Sequence, residues 1–126
     1  MNVLIVDDSR TIRTLLKSMV SNYFKDMCNI LEAEDGFVAM KQIEENRVDI
    51  ILLDYNMPNM NGEEVVEVIR KNRKWDRTRI IMVTTEGIKE DVLRLIKKGA
   101  DGYVVKPFRE DVIFKTLDTI KARIVR

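Results

Sequence analysis

Short apolar runs rich in β-branched residues alternate with longer amphipathic stretches along the chain, and this alternation limits the fold more than any other feature. The runs are Val3-Leu4-Ile5-Val6, a weaker one over Asn29 to Ala33, Ile50-Ile51-Leu52-Leu53, Ile80-Ile81-Met82-Val83 and Tyr103-Val104-Val105. Continuous apolarity of this kind marks strands covered on both faces. Between the runs, Ile12, Leu15, Leu16, Met19, Val20 and Tyr23 recur at helical spacing, with Ser9 placed as an N-cap. Ile88, Val92, Leu95 and Ile96 form a second stripe closed by Gly99, and Ile113, Leu117, Ile120 and Ile124 a third. Weaker patterns cover Val38 to Ile43 and Glu63 to Ile69. These stripes are read as core-facing. Parallel strands need crossover helices, so the pattern predicts an α/β fold: five βα units around a parallel sheet in one layered sandwich.

Composition then narrows the chemistry. At 126 residues the chain has the length of a single domain with a proper core, and no linker, repeat or low-complexity segment divides it. A net charge of +1 gives no reason to expect a nucleic-acid or membrane partner. The apolar run Val3–Val6 is too short for a signal peptide, and no stretch is long enough to span a bilayer, so a cytoplasmic location is expected. Cys28 stands alone, which rules out an internal disulfide and suits a reducing compartment. With no histidine in the chain, Ser–His–Asp and Cys–His catalysis, histidine-ligated zinc and a phosphohistidine on this chain are all excluded. Any chemistry must rest on carboxylates, hydroxyls and lysine.

In open α/β sheets, ligands bind beyond the carboxyl ends of the strands. The first apolar run ends in Asp7-Asp8, the third in Asp54, the fourth in Thr84 and the fifth in Lys106-Pro107. The second, ending near Glu34-Asp35, lies outside this group. Three carboxylates, a hydroxyl and an ammonium are thus expected at one sheet edge. Clustered carboxylates raise one another's pKa unless a cation sits among them, and oxygen ligands of this type suit Mg²⁺. A nearby lysine and hydroxyl would hold further oxygens of a phosphoryl group, which is the equipment phosphoryl transfer needs. Asp54 closes the most apolar run and is the best nucleophile, since a carboxylate is already ionised at neutral pH.

The segments Val6-Asp7-Asp8, Leu53-Asp54-Tyr55-Asn56-Met57-Pro58-Asn59-Met60-Asn61-Gly62, Val83-Thr84 and Gly102-Tyr103-Val104-Val105-Lys106-Pro107-Phe108 resemble those of bacterial two-component response-regulator receiver domains. Within that family the resemblance is closest to the single-domain chemotaxis (CheY-like) receivers. It implies a doubly wound (βα)5, flavodoxin-like three-layer sandwich with strand order 2-1-3-4-5, one receiver domain over residues 1–126 and no output domain. It implies that Asp54 accepts phosphoryl from a histidine kinase or a small donor, and that Asp8, Asp54 and the Asn56 carbonyl hold Mg²⁺ directly, with Asp7 acting through water. Lys106 would pair with the acyl phosphate and Thr84 would hydrogen-bond to it. Tyr103 would be an aromatic switch, and Pro107 would follow a cis peptide. Asn56 and Glu86 would tune phosphate lifetime. Thr85 departs from the small residue, usually Ala, that chemotaxis receivers carry there, and Tyr55 stands where they often have Trp. Trp75, the only tryptophan, falls in the loop before the fourth strand.

The domain would be a phosphoacceptor rather than an enzyme acting on other substrates, and a monomer is expected. Its surface at the fourth helix, last strand and last helix would bind a downstream target such as a flagellar motor switch protein. Phosphorelay intermediates and phosphate sinks share the same residues. The basic residues Lys89, Arg94, Lys97 and Lys98, with Lys115, Lys121, Arg123 and Arg126, fit solvated helix faces better than a docking surface for an acidic partner. A haloacid-dehalogenase-type phosphatase is disfavoured because Asn56 stands where its second aspartate would be. A flavin carrier is disfavoured because Asp7-Asp8 would repel phosphate.

Overall fold

A computed structural model describes residues 1–85 and 89–124. Five strands form one parallel sheet: β1 (Asn2–Val6), β2 (Asn29–Ala33), β3 (Ile50–Asp54), β4 (Arg79–Thr84) and β5 (Gly102–Val105), in spatial order β2-β1-β3-β4-β5. The crossovers are α1 (Arg10–Tyr23), α2 (Gly36–Glu45), α3 (Gly62–Lys71), α4 (Lys89–Lys98) and α5 (Glu110–Lys121). This is the doubly wound, flavodoxin-like arrangement that the resemblance implied. Each predicted strand is found within a residue or two of its expected ends.

Period-two alternation along the strands separates two cores. Leu4, Val6, Ile51, Leu53, Ile80 and Met82 face α2, α3 and α4. Their neighbours Val3, Ile5, Ile50, Leu52, Ile81 and Val83 face α1 and α5. Every residue of β3 is buried, as expected for the strand at the centre of a three-layer sandwich. Each buried aliphatic side chain contributes about 2 kcal/mol of transfer free energy, so this double-sided burial dominates the fold's stability.

Local chemistry fixes where the helices start and stop. Ser9 Oγ accepts from the Ile12 N–H at 3.3 Å, the predicted cap of α1. Asp35 does the same for α2, accepting from Val38 N–H at 2.9 Å. Asn61 and Glu64 form a reciprocal capping box at the start of α3. Gly99 ends α4 at φ +121°, where a Cβ would also stand 2.4 Å from the Arg70 side chain.

Two stripe residues read as core-facing, Leu15 of α1 and Ile96 of α4, are instead exposed. Each sits at the margin of its stripe, and the sheet covers only the stripe's centre. The start of the α4 stripe at Ile88 lies outside the described residues, as do Glu86 and Arg126. Trp75 falls in a 3₁₀ turn (Arg73–Trp75) before β4, in the expected loop.

The amino-terminal edge of β4 and β5 is built around Asp101. Its carboxylate takes Arg70, Arg79 and Arg123 at 3.0–3.1 Å and accepts the Ile80 N–H at 2.8 Å. Arg70 also donates to the carbonyls of Gly99, Trp75 and Thr78, closing three turns at once.

Candidate functional site

At the opposite, carboxyl-terminal edge, β1, β3 and β5 deliver their last side chains to one place. Parallel strands all end on the same side, so the order β2-β1-β3-β4-β5 makes neighbours of residues that are distant in sequence. Asp7, Asp8 and Asp54 each place one carboxylate oxygen within 4.8 Å of the others. Asp7 and Asp54 are 1% and 5% exposed, whereas Asp8 is open to solvent. Lys106 Nζ donates to Asp7 Oδ2 at 2.8 Å and to Asp54 Oδ1 at 3.2 Å, bridging the two buried carboxylates.

Supporting contacts hold these groups. Asp7 Oδ1 accepts the Ser9 N–H at 2.9 Å, and Arg13 Nη1 donates to the Asp7 carbonyl at 2.7 Å. Lys106 follows β5, and its backbone N–H donates to the Thr84 carbonyl at 2.8 Å. The Lys106–Pro107 peptide is cis, as the resemblance implied. Gly62 lies so close to the Asp54 backbone that a Cβ would stand 2.4 Å from the Asp54 carbonyl oxygen, so α3 can begin directly against the β3 end only with glycine there. Asn56 is exposed on the loop after Asp54, and Thr85 is exposed beyond β4.

The electrostatics are those of a cluster short of positive charge. Among the described residues, three carboxylates face one ammonium. Burial raises the Asp54 carboxyl to about 6, Asp7 and Asp8 add to the rise, and Lys106 opposes it. Burial works against the Lys106 ammonium, yet the bonds to Asp7 and Asp54 outweigh that and raise its pKa. Hard oxygen donors, two of them buried and one open to water, with unbalanced negative charge, form a donor set that fits a small divalent cation such as Mg²⁺.

Thr84 is buried at the end of β4. The β4–β5 register pairs Met82 with Tyr103 and Thr84 with Val105, so Thr84 and Tyr103 sit diagonally on the same sheet face. Tyr103 points outward, 48% exposed.

A polar network beside the site was not visible in the sequence. Tyr55, next to Asp54, donates its hydroxyl to Glu63 at 3.1 Å. Glu63 of α3 also takes Arg94 at 3.0 Å and Lys98 at 2.5 Å from α4. Lys98 reaches Glu67 at 2.8 Å, and Arg94 reaches Asp91. Bonds from Arg94, Lys98 and Tyr55 hold the Glu63 carboxyl down to about 2. Arg94, Lys98 and Arg123 are therefore tied to this molecule's own acids, which supports the solvated-face reading of those cations over the docking one. Pairs separated by about 30 positions leave no periodic signal. The capping pattern Asn61-x-x-Glu64 was the readable sign that α3 starts there.

The model of the family described as "Response regulator receiver domain" matches residues 3–118. A chemotaxis protein CheY homolog of Campylobacter jejuni is 40% identical over 121 residues, covering 95% of this chain and 92% of the relative. The chemotaxis protein CheY1 of Helicobacter pylori is 36% identical, covering 95% and 96%. The solved structure of Vibrio cholerae chemotaxis protein CheY4 superposes with a TM-score of 0.85 at 34% identity, covering 94% of this chain and 97% of that one. With the fold, the strand order and the family match in agreement, this chain belongs to the response regulator receiver domain family.

Proposed function

We propose that this protein is a phosphorylation-activated switch of a two-component system, with Asp54 as the phosphoacceptor. The observation that carries this reading is the buried Asp7–Lys106–Asp54 bridge beside the open Asp8. An oxygen of Asp54 forms a bond to phosphorus as the bond to the donor's imidazole nitrogen, on a histidine kinase, breaks. Lys106, already against Asp54, neutralises charge on the transferred group, and the Thr84 hydroxyl at the end of β4 accompanies it. Asp8, Asp54 and the Asn56 carbonyl would hold Mg²⁺, with Asp7 acting through water. The bound ion supplies the positive charge that offsets the carboxylates and the phosphoryl oxygens.

The chain's own catalysis is confined to its phosphorylation and dephosphorylation. Asn56, Thr85 and Glu86 set the lifetime of the phosphate. Activation brings Thr84 toward the phosphate and lets Tyr103 turn inward on the face they share, a shift between two populated states. The readout surface spans α4, β5 and α5, where Leu93, Ile96, Tyr103, Val105 and Val112 are exposed. Relatives named as chemotaxis proteins favour a chemotaxis role, and a flagellar motor switch protein is the target this reading assigns. Asp7, Asp8, Asp54 and Lys106 all come from one chain, so the site is assembled within a monomer.

Beryllofluoride binding followed by amide NMR tests this. With Mg²⁺, the reading expects shifts at Thr84, Tyr103 and α4, and none in Asp54→Asn. Binding without any change on the Thr84–Tyr103 face would overturn the switch.

A further inference from the structure

Tyr55 is the single residue between Asp54, the proposed phosphoacceptor, and Asn56, whose carbonyl is assigned to Mg²⁺. The start of α3 grips it at both ends. Its carbonyl accepts the Gly62 N–H at 2.9 Å, and its hydroxyl donates to Glu63 Oε1 at 3.1 Å. The ring between these bonds packs, half-buried, against the core on the α2–α4 side. A residue held by its main chain, ring and hydroxyl at once keeps the metal-binding groups on either side of it from drifting.

Glu63 is itself held from α4. Arg94 donates from Nε to Oε2 at 3.2 Å and from Nη2 to Oε1 at 3.0 Å, a fork that fixes the plane of the carboxylate. Lys98 adds a bond to Oε2 at 2.5 Å. The Glu63 side chain is 15% exposed, so these bonds form largely out of water, where they are stronger. A plain staple between α3 and α4 needs only an acid and a cation, and the Lys98–Glu67 pair at 2.8 Å is one already. Glu63 differs because its Oε1 takes both Arg94 and the Tyr55 hydroxyl, while Arg94 Nη2 lies 3.4 Å from that same hydroxyl oxygen. The three groups close a triangle that reaches from α4 to the residue beside Asp54.

We propose that Glu63 is a positioning residue for the phosphorylation site: through the Tyr55 hydroxyl it presets the 54–56 loop for Mg²⁺, and Arg94 extends that hold to α4. This role rests on Asp54 and Asn56 being ligands of the ion, as proposed above. It gives the site a link to α4 through the residue after the phosphoacceptor, separate from the face shared by Thr84 and Tyr103. Coupling of this kind is reciprocal, so the bound ion should in turn be felt at Arg94.

Mg²⁺ titration of the full chain, followed by NMR of the backbone amides and of the Arg94 Nε–H, tests this. Tyr55→Phe keeps the ring and removes only the hydroxyl, and Arg94→Met keeps an extended side chain without the fork. Each should weaken Mg²⁺ binding about tenfold, the lower end of what losing a group that orients metal ligands costs. The double variant should bind about as weakly as either single one, because both changes break the same chain of contacts. Glu67→Gln removes an α3–α4 ion pair without touching Tyr55 and should bind Mg²⁺ within about twofold of the parent. At saturating Mg²⁺ the Arg94 Nε–H resonance should shift in the parent and stay in place in Tyr55→Phe, a difference that a merely structural cluster would not produce. The proposal is overturned if Tyr55→Phe binds Mg²⁺ as the parent does, or if Glu67→Gln weakens binding as much as Arg94→Met. It is equally overturned if the two single losses multiply in the double variant, or if Arg94 responds to the ion as fully without the hydroxyl. A parent that binds no Mg²⁺ would overturn the metal assignment itself, and this role with it.

Discussion

Asp54 should make the metal-free protein less stable than it could be, and Asp54→Asn should reveal by how much. Its carboxyl is raised from an ordinary 3.8 to about 6, mainly by burial and then by Asp7 and Asp8. A carboxyl whose folded pKa is raised binds its proton more tightly in the folded state than in the unfolded one. The folded protein therefore loses stability as pH rises through the range between the two values, and the whole penalty is present above about 6. A difference of about two units corresponds to about 3 kcal/mol. Asn keeps the shape without the charge, and Lys106 keeps its 2.8 Å bond to Asp7. In urea unfolding without Mg²⁺ at pH 8, Asp54→Asn should gain about 3 kcal/mol, a midpoint shift of about 1.5 M. At pH 4 the gain should nearly vanish, because the folded wild type then carries the proton. Added Mg²⁺ should narrow the difference at pH 8 by stabilising the wild type alone. An Asn variant no more stable at pH 8, or equally stabilised at both pH values, would refute the argument.

Other outcomes follow from particular contacts. Arg70→Ala should cost about 3 kcal/mol, since it strips three carbonyls and Asp101 of a half-buried donor. Arg70→Lys should recover only part of this, because an ammonium cannot reproduce the fork; chemical denaturation of both variants checks the ranking. Gly62→Ala should weaken Mg²⁺ binding and unfold the chain at lower temperature, because its Cβ would press on the Asp54 carbonyl; metal titration and calorimetry read the two effects. Glu63 should titrate near 2 by carboxyl NMR and move back toward 4.5 in Arg94→Ala. Its depressed pKa means that the stability it contributes is present above 4.5 and is lost as pH falls through about 2.

The sequence made the strands legible because β-branched runs buried on both faces are both short and continuous. Ser9, Gly99 and the cis peptide at Pro107 were readable for equally local reasons, a cap, a left-handed stop and a motif. The convergence of Asp7, Asp8, Asp54 and Lys106 could be foreseen from a topological rule: parallel strands bring their carboxyl ends together. What escaped were properties set by distance in space alone. The Tyr55–Glu63–Arg94 network and the three arginines on Asp101 join segments of different helices and strands. Leu15 and Ile96 share helical spacing with buried neighbours, and only the width of the packed face shows that they stay outside. The basic surplus between positions 70 and 79 was likewise lost in a net value of +1.

Intact-protein mass after incubation with acetyl phosphate, with and without Mg²⁺, for the wild type and Asp54→Asn, tests the phosphoacceptor assignment most directly. The account predicts a gain of one phosphoryl group that requires Mg²⁺ and is absent in the variant. A wild type that gains no mass and also fails to bind beryllofluoride, or a variant that gains the same mass, would contradict it.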